Sequence, residues 1–512
     1  MRVPLTVGDF LDRGQTAFAQ SIAVVDESVQ PAPAVETSTY QQLGRRIRAW
    51  QAGLDALGVG TGERVAVVSH NCARLLELLH AVSASGRICV PVNFRLRADE
   101  VEYIVSHSDS SVLLVDPALD EPLKAVTAPH RFVLGGETEE LLMRFDVEPR
   151  PWAEPDEDAT ATINYTSGTT ARPKGVQLTH RNIWINAVTF AMHTRAWERD
   201  VYLHTLPMFH CNGWGMPYGL VGLGARQVVL RKVDGAEILR RVDQHGVTLM
   251  CGAPAVWNAV LDAAASWPGE IPGRGRVRLV CAGAPPPTRV IHRISEELGW
   301  EFMQIYGLTE TAPLLTFNRS APADDQLSAE DRARRLSRAG GPALGVQLRI
   351  SESGEVLARS NVVMAGYWQS TDASNDVLVD GWFRTGDGGL IDDDGYLCIT
   401  DRKKDVIITG GENVSSIEVE DCIFSHPAVA EVAVIGVPSD RWGETIKALV
   451  VVAAEAQVTE EEIIAYCKER LAGFKTPTSV EFRESIPRTA TGKIQKFKLR
   501  QEYWQGRERQ VN

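Results

Sequence analysis

The chain has 512 residues, 44% of them hydrophobic, and a formal net charge of −13. Single cores stop growing near ~250–300 residues, so several folded units are expected. The acidic balance argues against a general nucleic-acid binder, which carries a basic face. The longest apolar run, residues 448–454 (ALVVVAA), falls far short of the ~20 residues of a membrane span.

In chain order, Asp9 and Asp12 follow soon after Met1, with no apolar leader. Residues 64–68 (RVAVV) read as a buried strand and residues 73–80 (ARLLELLH) as a helix. Residues 88–92 and 111–116 read as further strands, and the alternation continues through 228–230, 249–251 and 278–281. Short β-branched runs separated by helices predict an α/β fold with parallel sheets covered on both faces. No short repeat interrupts this pattern. Residues 320–341 are charged, with Arg332, Arg334, Arg335 and Arg338, and read as a surface excursion. From 345 to 400 the strands shorten and Gly/Asp turns multiply, which predicts a small β-rich unit. Residues 401–405 (DRKKD) form a dense charge cluster, and a domain boundary is placed at Asp401, giving units 1–400 and 401–512. In the second unit, Thr459 and Glu462 form a capping box and Gly473 sits near the helix stop.

The eight cysteines are scattered without Cys-x-x-Cys spacing, so neither a zinc site nor a redox dithiol is indicated. Most lie in apolar runs and read as reduced core residues. The final residues do not form a Ser-Lys-Leu-type peroxisomal address. A cytoplasmic location is expected.

Residues 165–175 (YTSGTTARPKG) pack hydroxyls, glycine and Lys174 into one short loop after a strand end. Exposed backbone N–H groups with hydroxyl donors suit phosphate oxygens, and a lysine adds a mobile point charge. The Walker A spacing is absent. Taken alone, a loop of this composition is more often a plain connector.

Five later segments change that balance. Residues 306–311 (YGLTET), 382–387 (WFRTGD), 401–405 (DRKKD), 410–413 (GGEN) and 487–493 (PRTATGK) follow the loop in order. With it they resemble the acyl-adenylate-forming superfamily of acyl-CoA synthetases, peptide-synthetase adenylation domains and firefly-type luciferases. The resemblance runs from about Thr39 to Lys498, nearly the whole chain. It implies a large N-terminal domain of two layered α/β subdomains plus the small β-rich one. A smaller, mobile α+β C-terminal domain follows, hinged at Asp401. It also implies ATP, Mg²⁺ and coenzyme A as the cofactors and cosubstrates, and a small carboxylic acid as the substrate.

The residue chemistry agrees with these roles. Adenylation brings a carboxylate oxygen in line with the α-phosphorus and expels pyrophosphate, so positioning and electrostatics dominate. Thr166, Ser167, Gly168, Thr169 and Thr170, with Lys174, are expected to cradle the β- and γ-phosphates. Glu310 is the expected Mg²⁺ ligand, and Thr309 a donor to the α-phosphate. Tyr306, beside Gly307, offers adenine a flat face, and by resemblance Gly283, Ala284 and Pro285 line the other side. Asp387 can accept both ribose hydroxyls, and Arg402 adds a second ribose or phosphate contact. Lys493 is the expected catalytic lysine. Gly411 and Glu412 belong to the loop that would swing in to shape the thiol tunnel.

The acyl pocket is expected to begin at residues 206–214 (LPMFHCNGW), with His210, Asn212, Trp214 and Gly283 lining it. The wording of that stretch, with Ala171, resembles a branch that activates short-chain, medium-chain and aryl acids. His210 is the expected gate, and an ordinary wall histidine is the equal alternative. No acidic residue offers itself between Phe209 and Trp214 to an α-ammonium group, which disfavours an amino acid. Gly388 departs from the larger apolar residue usual in the family. The acceptor stays open between CoA, a carrier protein and another nucleophile. A non-catalytic nucleotide-binding relative is the reading from another class.

Overall fold

The computed structural model describes residues 1–166, 172–402, 405–439, 441–489 and 493–505. Ser167, Gly168, Thr169 and Thr170, expected in the phosphate loop, lie outside the described residues.

Four sheets organise the described residues. The first has seven strands. At its centre Ile88–Val92, Arg64–Val68, Ser110–Val115 and His130–Val133 run parallel. The side chains of the first three are almost wholly buried, because helices cover both faces, while His130–Val133 at the sheet edge is only half-buried. One edge turns antiparallel: Thr160–Thr166 pairs with Lys174–Thr179, which pairs with Gly366–Tyr367. The second sheet has nine strands. Its parallel centre runs through Glu301–Tyr306, Arg278–Cys281, Leu249–Gly252, Val201–His204 and Arg226–Val229.

The third sheet is antiparallel throughout: Val346–Ile350, Glu355–Ser360, Trp382–Ile391, Leu378–Val379 and Leu397–Arg402. Asp401 therefore sits in a strand of the β-rich unit, with Arg402 directly opposite Asp387. The fourth sheet begins at Ile407–Thr409 and carries its own core with two helices, Ser416–Phe424 and Glu460–Lys468. Thr459 and Glu462 make the expected reciprocal cap. The chain is thus α/β, with a large sheet-and-helix N-terminal portion and a smaller α+β C-terminal one.

The charged stretch at 320–341 is more than a surface excursion. It contains a helix, Ala329–Leu336, whose Ala333 and Leu336 are buried in the core of the nine-stranded sheet. Asn318 donates to the Arg335 and Arg338 carbonyls, and Arg338 pairs with Asp392 at 2.6 Å. The arginine density masked a short amphipathic face. Among the described residues no helix is long and apolar enough to cross a membrane. All eight cysteines are free thiols, six of them buried.

Candidate active site

Side chains from distant segments converge in one cleft. Tyr306, at the end of a nine-stranded-sheet strand, donates its hydroxyl to Asp387 Oδ2 at 2.8 Å. Arg402 Nε lies 3.5 Å from Asp387 Oδ1. Both Asp387 and Arg402 stand on paired strands, so neighbouring sheet register fixes the carboxylate and its cation. Burial and the Asp387 carboxylate push the Tyr306 hydroxyl far above its usual range, so it remains a donor. Glu355 supports this corner from behind: it accepts from the Gly386 amide at 3.1 Å and from Arg384 at 2.8 Å.

Gly307 follows Tyr306 for a steric reason. A Cβ there would lie 1.5 Å from the Pro313 carbonyl oxygen, so only glycine admits this close crossing. The chain then enters a single tight turn, Thr309–Thr311, which presents Glu310. Tyr367 donates its hydroxyl to Glu310 Oε1 at 3.0 Å, and Lys174 Nζ stands 4.8 Å above the Tyr367 ring. Thr166 is the register partner of Lys174 across the strands flanking the loop. This end of the cleft gathers Thr166, Lys174, Tyr367 and Glu310. A cavity of about 310 Å³ opens beside them, lined by Leu308, Glu310, Glu355, Tyr367 and Thr385 among others. Among the described residues no three His, Cys, Asp or Glu side chains cluster to hold a metal alone. Glu310 offers the carboxylate oxygen that a hard cation such as Mg²⁺ takes.

Gly283, at φ +93°, begins the loop after strand Arg278–Cys281, and Ala284 and Pro285 continue it. A Cβ built on Gly283 would lie 3.8 Å from Lys493 Cε, so the C-terminal lysine reaches across to the N-terminal loop. Its own backbone is braced by Thr489: the Lys493 amide donates to Thr489 Oγ1 at 3.0 Å, and the Thr489 amide to the Lys493 carbonyl at 2.7 Å. Burial and nearby Arg402 pull the Lys493 ammonium down to about 8, against the pull of Asp387 and Glu310.

The stretch expected to form the acyl pocket rests on an unusual backbone. Cys211, Asn212, Gly213 and Trp214 take φ values of 46°, 52°, 57° and 60°, a left-handed turn. Such geometry costs residues like Cys211 and Trp214 roughly 1–2 kcal/mol each, so something must hold it. Asn164 donates to Asn212 Oδ1 at 3.1 Å, and Asn212 donates to Thr162 Oγ1 at 2.9 Å. Asn186 donates to the Trp214 carbonyl at 3.1 Å and accepts from the Leu314 amide at 3.2 Å. Asn212 was expected to line the pocket, but its amide is committed to this buried clamp. Trp214 is 4% exposed and packs towards Phe190. Burial, then the charge of Lys493, drives the His210 imidazole down to about 3, so it is neutral at ordinary pH. That suits a lining group and removes it from acid catalysis.

Gly411 and Glu412 sit elsewhere. Gly410 and Gly411, at φ +60° and +87°, form the two-residue turn between Ile407–Thr409 and Glu412–Val414. This hairpin tip is exposed, and Trp442 packs against Gly410. The structure brings Lys493 to the cleft and leaves the hairpin outside it. Asp401 Oδ2 accepts from the Ser416 amide at 2.9 Å and the Ser416 hydroxyl at 2.6 Å, tying the strand end to the first C-terminal helix. Tyr367, Asn186 and Glu355 escaped the sequence reading. Tyr367 follows Gly366 in a two-residue strand, and nothing local links it to Glu310, 57 positions away.

The cleft thus gathers an aromatic ring, a carboxylate beside an arginine, a second carboxylate and a lysine from the C-terminal portion. The description "AMP-binding enzyme" fits residues 11–368, and "AMP-binding enzyme C-terminal domain" fits residues 418–493. A 2-methylpropanoate–CoA ligase of Humulus lupulus, CCL4, is 37% identical over 97% of this chain and 95% of its own length. A peroxisomal trans-cinnamate:CoA ligase of Petunia hybrida is 33% identical over 98% of this chain and 94% of its own. The crystal structure of the anthranilate CoA ligase AuaEII with anthranoyl-AMP superposes with a TM-score of 0.87 at 25% identity, covering 98% and 99% of the two chains. The chain belongs to the AMP-binding enzyme family.

Proposed function

We propose that this AMP-forming acid–thiol ligase activates a short-chain, medium-chain or aryl carboxylic acid in two steps. A carboxylate oxygen attacks the α-phosphorus of ATP, the bond to the β-phosphate oxygen breaks, and pyrophosphate leaves. The CoA sulfur then attacks the acyl carbon, AMP departs, and the thiol proton is lost to solvent. The observation that carries this reading is Lys493, from the C-terminal portion, lying over Gly283 beside Arg402, Asp387 and Glu310.

In this arrangement Tyr306 and the loop at Gly283, Ala284 and Pro285 take the adenine. Asp387 and Arg402 take the ribose. Thr166, Lys174 and the loop between them take the β- and γ-phosphates, and Thr309 donates to the α-phosphate. Glu310 would hold a Mg²⁺ ion, which would supply charge neutralisation for the phosphates. Lys493 steadies charge building on the carboxylate and α-phosphate, where one such donor is worth roughly 10²–10³ in rate. His210 and Trp214 line the acid, and neutral His210 tolerates an apolar tail.

After pyrophosphate leaves, the C-terminal portion rotates about Asp401, Lys493 withdraws, and the Gly411–Glu412 turn enters to shape the thiol path. The named substrates of the relatives, 2-methylpropanoate, trans-cinnamate and anthranilate, support small branched and aryl acids. Free thiols throughout support a reducing compartment, and we place the enzyme in the cytoplasm. The test is pyrophosphate release with a panel of these acids and octanoate, with and without CoA, followed by thioester detection. Release with at least one small acid and a thioester only with CoA is expected. Release without thioester moves the acceptor to a carrier protein or another nucleophile, and no release with any acid defeats the reading.

A further inference from the structure

The segment running from Gly283 into the helix Thr288–Arg293 receives the C-terminal portion at several points. Lys493 meets Gly283. Five residues on, Asp421 takes two hydrogen bonds: from the Thr288 amide to Oδ1 at 3.0 Å and from the Thr288 hydroxyl to Oδ2 at 3.2 Å. Arg289 Nη1 donates to the His426 carbonyl at 3.2 Å. Phe424 packs on both sides at once. It touches the core that holds Val290 and Ile291 and the core of the C-terminal sheet with Val419 and Ile423.

Asp421 and Phe424 belong to one helix, Ser416–Phe424. Its opposite end is the end that Asp401 binds through Ser416. Lys496 secures the same helix through Glu420 at 2.7 Å. One rigid helix therefore spans from the expected pivot to the docking face, and the docking face continues the loop over which Lys493 lies. An apolar plug shared between two cores, rimmed by a charged fork, is the form of a reversible interface rather than of a continuous core.

We propose that Asp421 and Phe424 are a latch that holds the C-terminal portion in its lysine-inserted arrangement, making them positioning residues for the adenylation half-reaction. This rests on the two-step reading above. The latch touches no substrate; it sets how often Lys493 occupies the cleft. Released, the C-terminal portion leaves the lysine-inserted state more often, which penalises adenylation and not the thiol step.

The experiment uses the full chain and the variants Asp421→Asn and Phe424→Ala. Pyrophosphate release in the absence of CoA reads the first half-reaction. Thioester formation from chemically prepared acyl-AMP and CoA reads the second. Phe424→Ala is expected to slow the first about tenfold and Asp421→Asn about threefold, while the second stays within twofold of the parent or rises. Hydrogen–deuterium exchange across residues 283–291 gives a readout independent of turnover, because the Thr288 amide loses its acceptor on undocking. Faster exchange there is expected in both variants. Equal loss in both half-reactions, or unchanged rates and exchange, overturns the latch. If Phe424→Ala fails to fold, Asp421→Asn on the water-exposed rim still decides it. A parent protein inactive with every acid defeats the functional reading, while the exchange data still judge the latch.

Discussion

The corner proposed to take the ribose and the wall proposed to take the acid, here called the ribose corner and the acyl wall, are built in opposite ways. Asp387, Arg402 and Tyr306 stand on strands, where sheet register places one residue against another. Beside His210, Cys211 to Trp214 stand on a left-handed turn that asparagine side chains clamp. The difference teaches where constancy and variation are stored. A nucleotide always presents the same ribose, so its contacts can be fixed by backbone pairing. An acid varies, and a wall held by side-chain bonds changes shape with few substitutions. Lesions at the ribose corner should therefore weaken ATP use with every acid, and lesions at the acyl wall should re-rank the acids.

Lys493→Ala is the largest expected effect, because it removes the one group both ends share. Adenylation should fall roughly 10²–10³-fold, measured as pyrophosphate release at saturating ATP and acid. Thioester formation from supplied acyl-AMP should persist. Equal loss in both steps would place the lysine in general architecture instead.

Asp387→Ala comes next and tests the ribose corner alone. Hydrogen bonds to a charged group contribute about 1.5–3 kcal/mol, so KM for ATP should rise roughly 10–100-fold. The ranking of acids should not change. A re-ranked panel would erase the distinction between the two regions.

Asn186→Ala tests the wall. It strips partners from the Trp214 carbonyl and the Leu314 amide. Leaving buried groups unpaired costs about 1–3 kcal/mol, visible as a lower urea midpoint. The ratio of rates for a branched and an aryl acid should shift several-fold while KM for ATP stays within about twofold. A shift in ATP use with no change in acid preference would contradict the division of labour.

How far the sequence foretells this depends on whether a function is written locally. The Tyr306–Thr311 run and Asp387 lie in motifs of adjacent letters, so type and spacing single them out, and the structure brings Tyr306 and Asp387 into contact. The alternating strands around residues 64–115 were legible for the same reason: burial on both faces leaves only apolar letters. Tyr367 and Asn186 act through partners far off in the chain, and a lone tyrosine or asparagine has no distinguishing neighbourhood. The left-handed turn was hidden differently. Asn212 and Gly213 tolerate positive φ, but Cys211 and Trp214 do not favour it, so the letters point away from the conformation. Asn212 consequently looked like a pocket residue when its amide holds the backbone. At 320–341 the reverse occurred, and surface charge concealed two buried side chains.

The smallest expected effect is a displacement of a pH limb, and its sign follows from two causes acting on Lys493. Burial and the Arg402 charge both disfavour the ammonium and bring it to about 8. In the proposed role the protonated form is the active one, so kcat/KM for adenylation should be flat below that value and fall as pH rises through it. His210, already neutral, contributes no limb between pH 5 and 8. Arg402→Gln removes one of the two depressing causes, so the limb should move upward even as KM for ATP worsens. Stability should run the other way in the parent protein. Its native state holds fewer protons than the unfolded chain between about 8 and the ordinary lysine value of 10.5, so this group favours folding progressively more across that window. A limb that stays in place in Arg402→Gln would mean that Arg402, although paired with Asp387, does not act on the lysine's charge, and the ribose corner and the catalytic lysine would then be electrostatically separate.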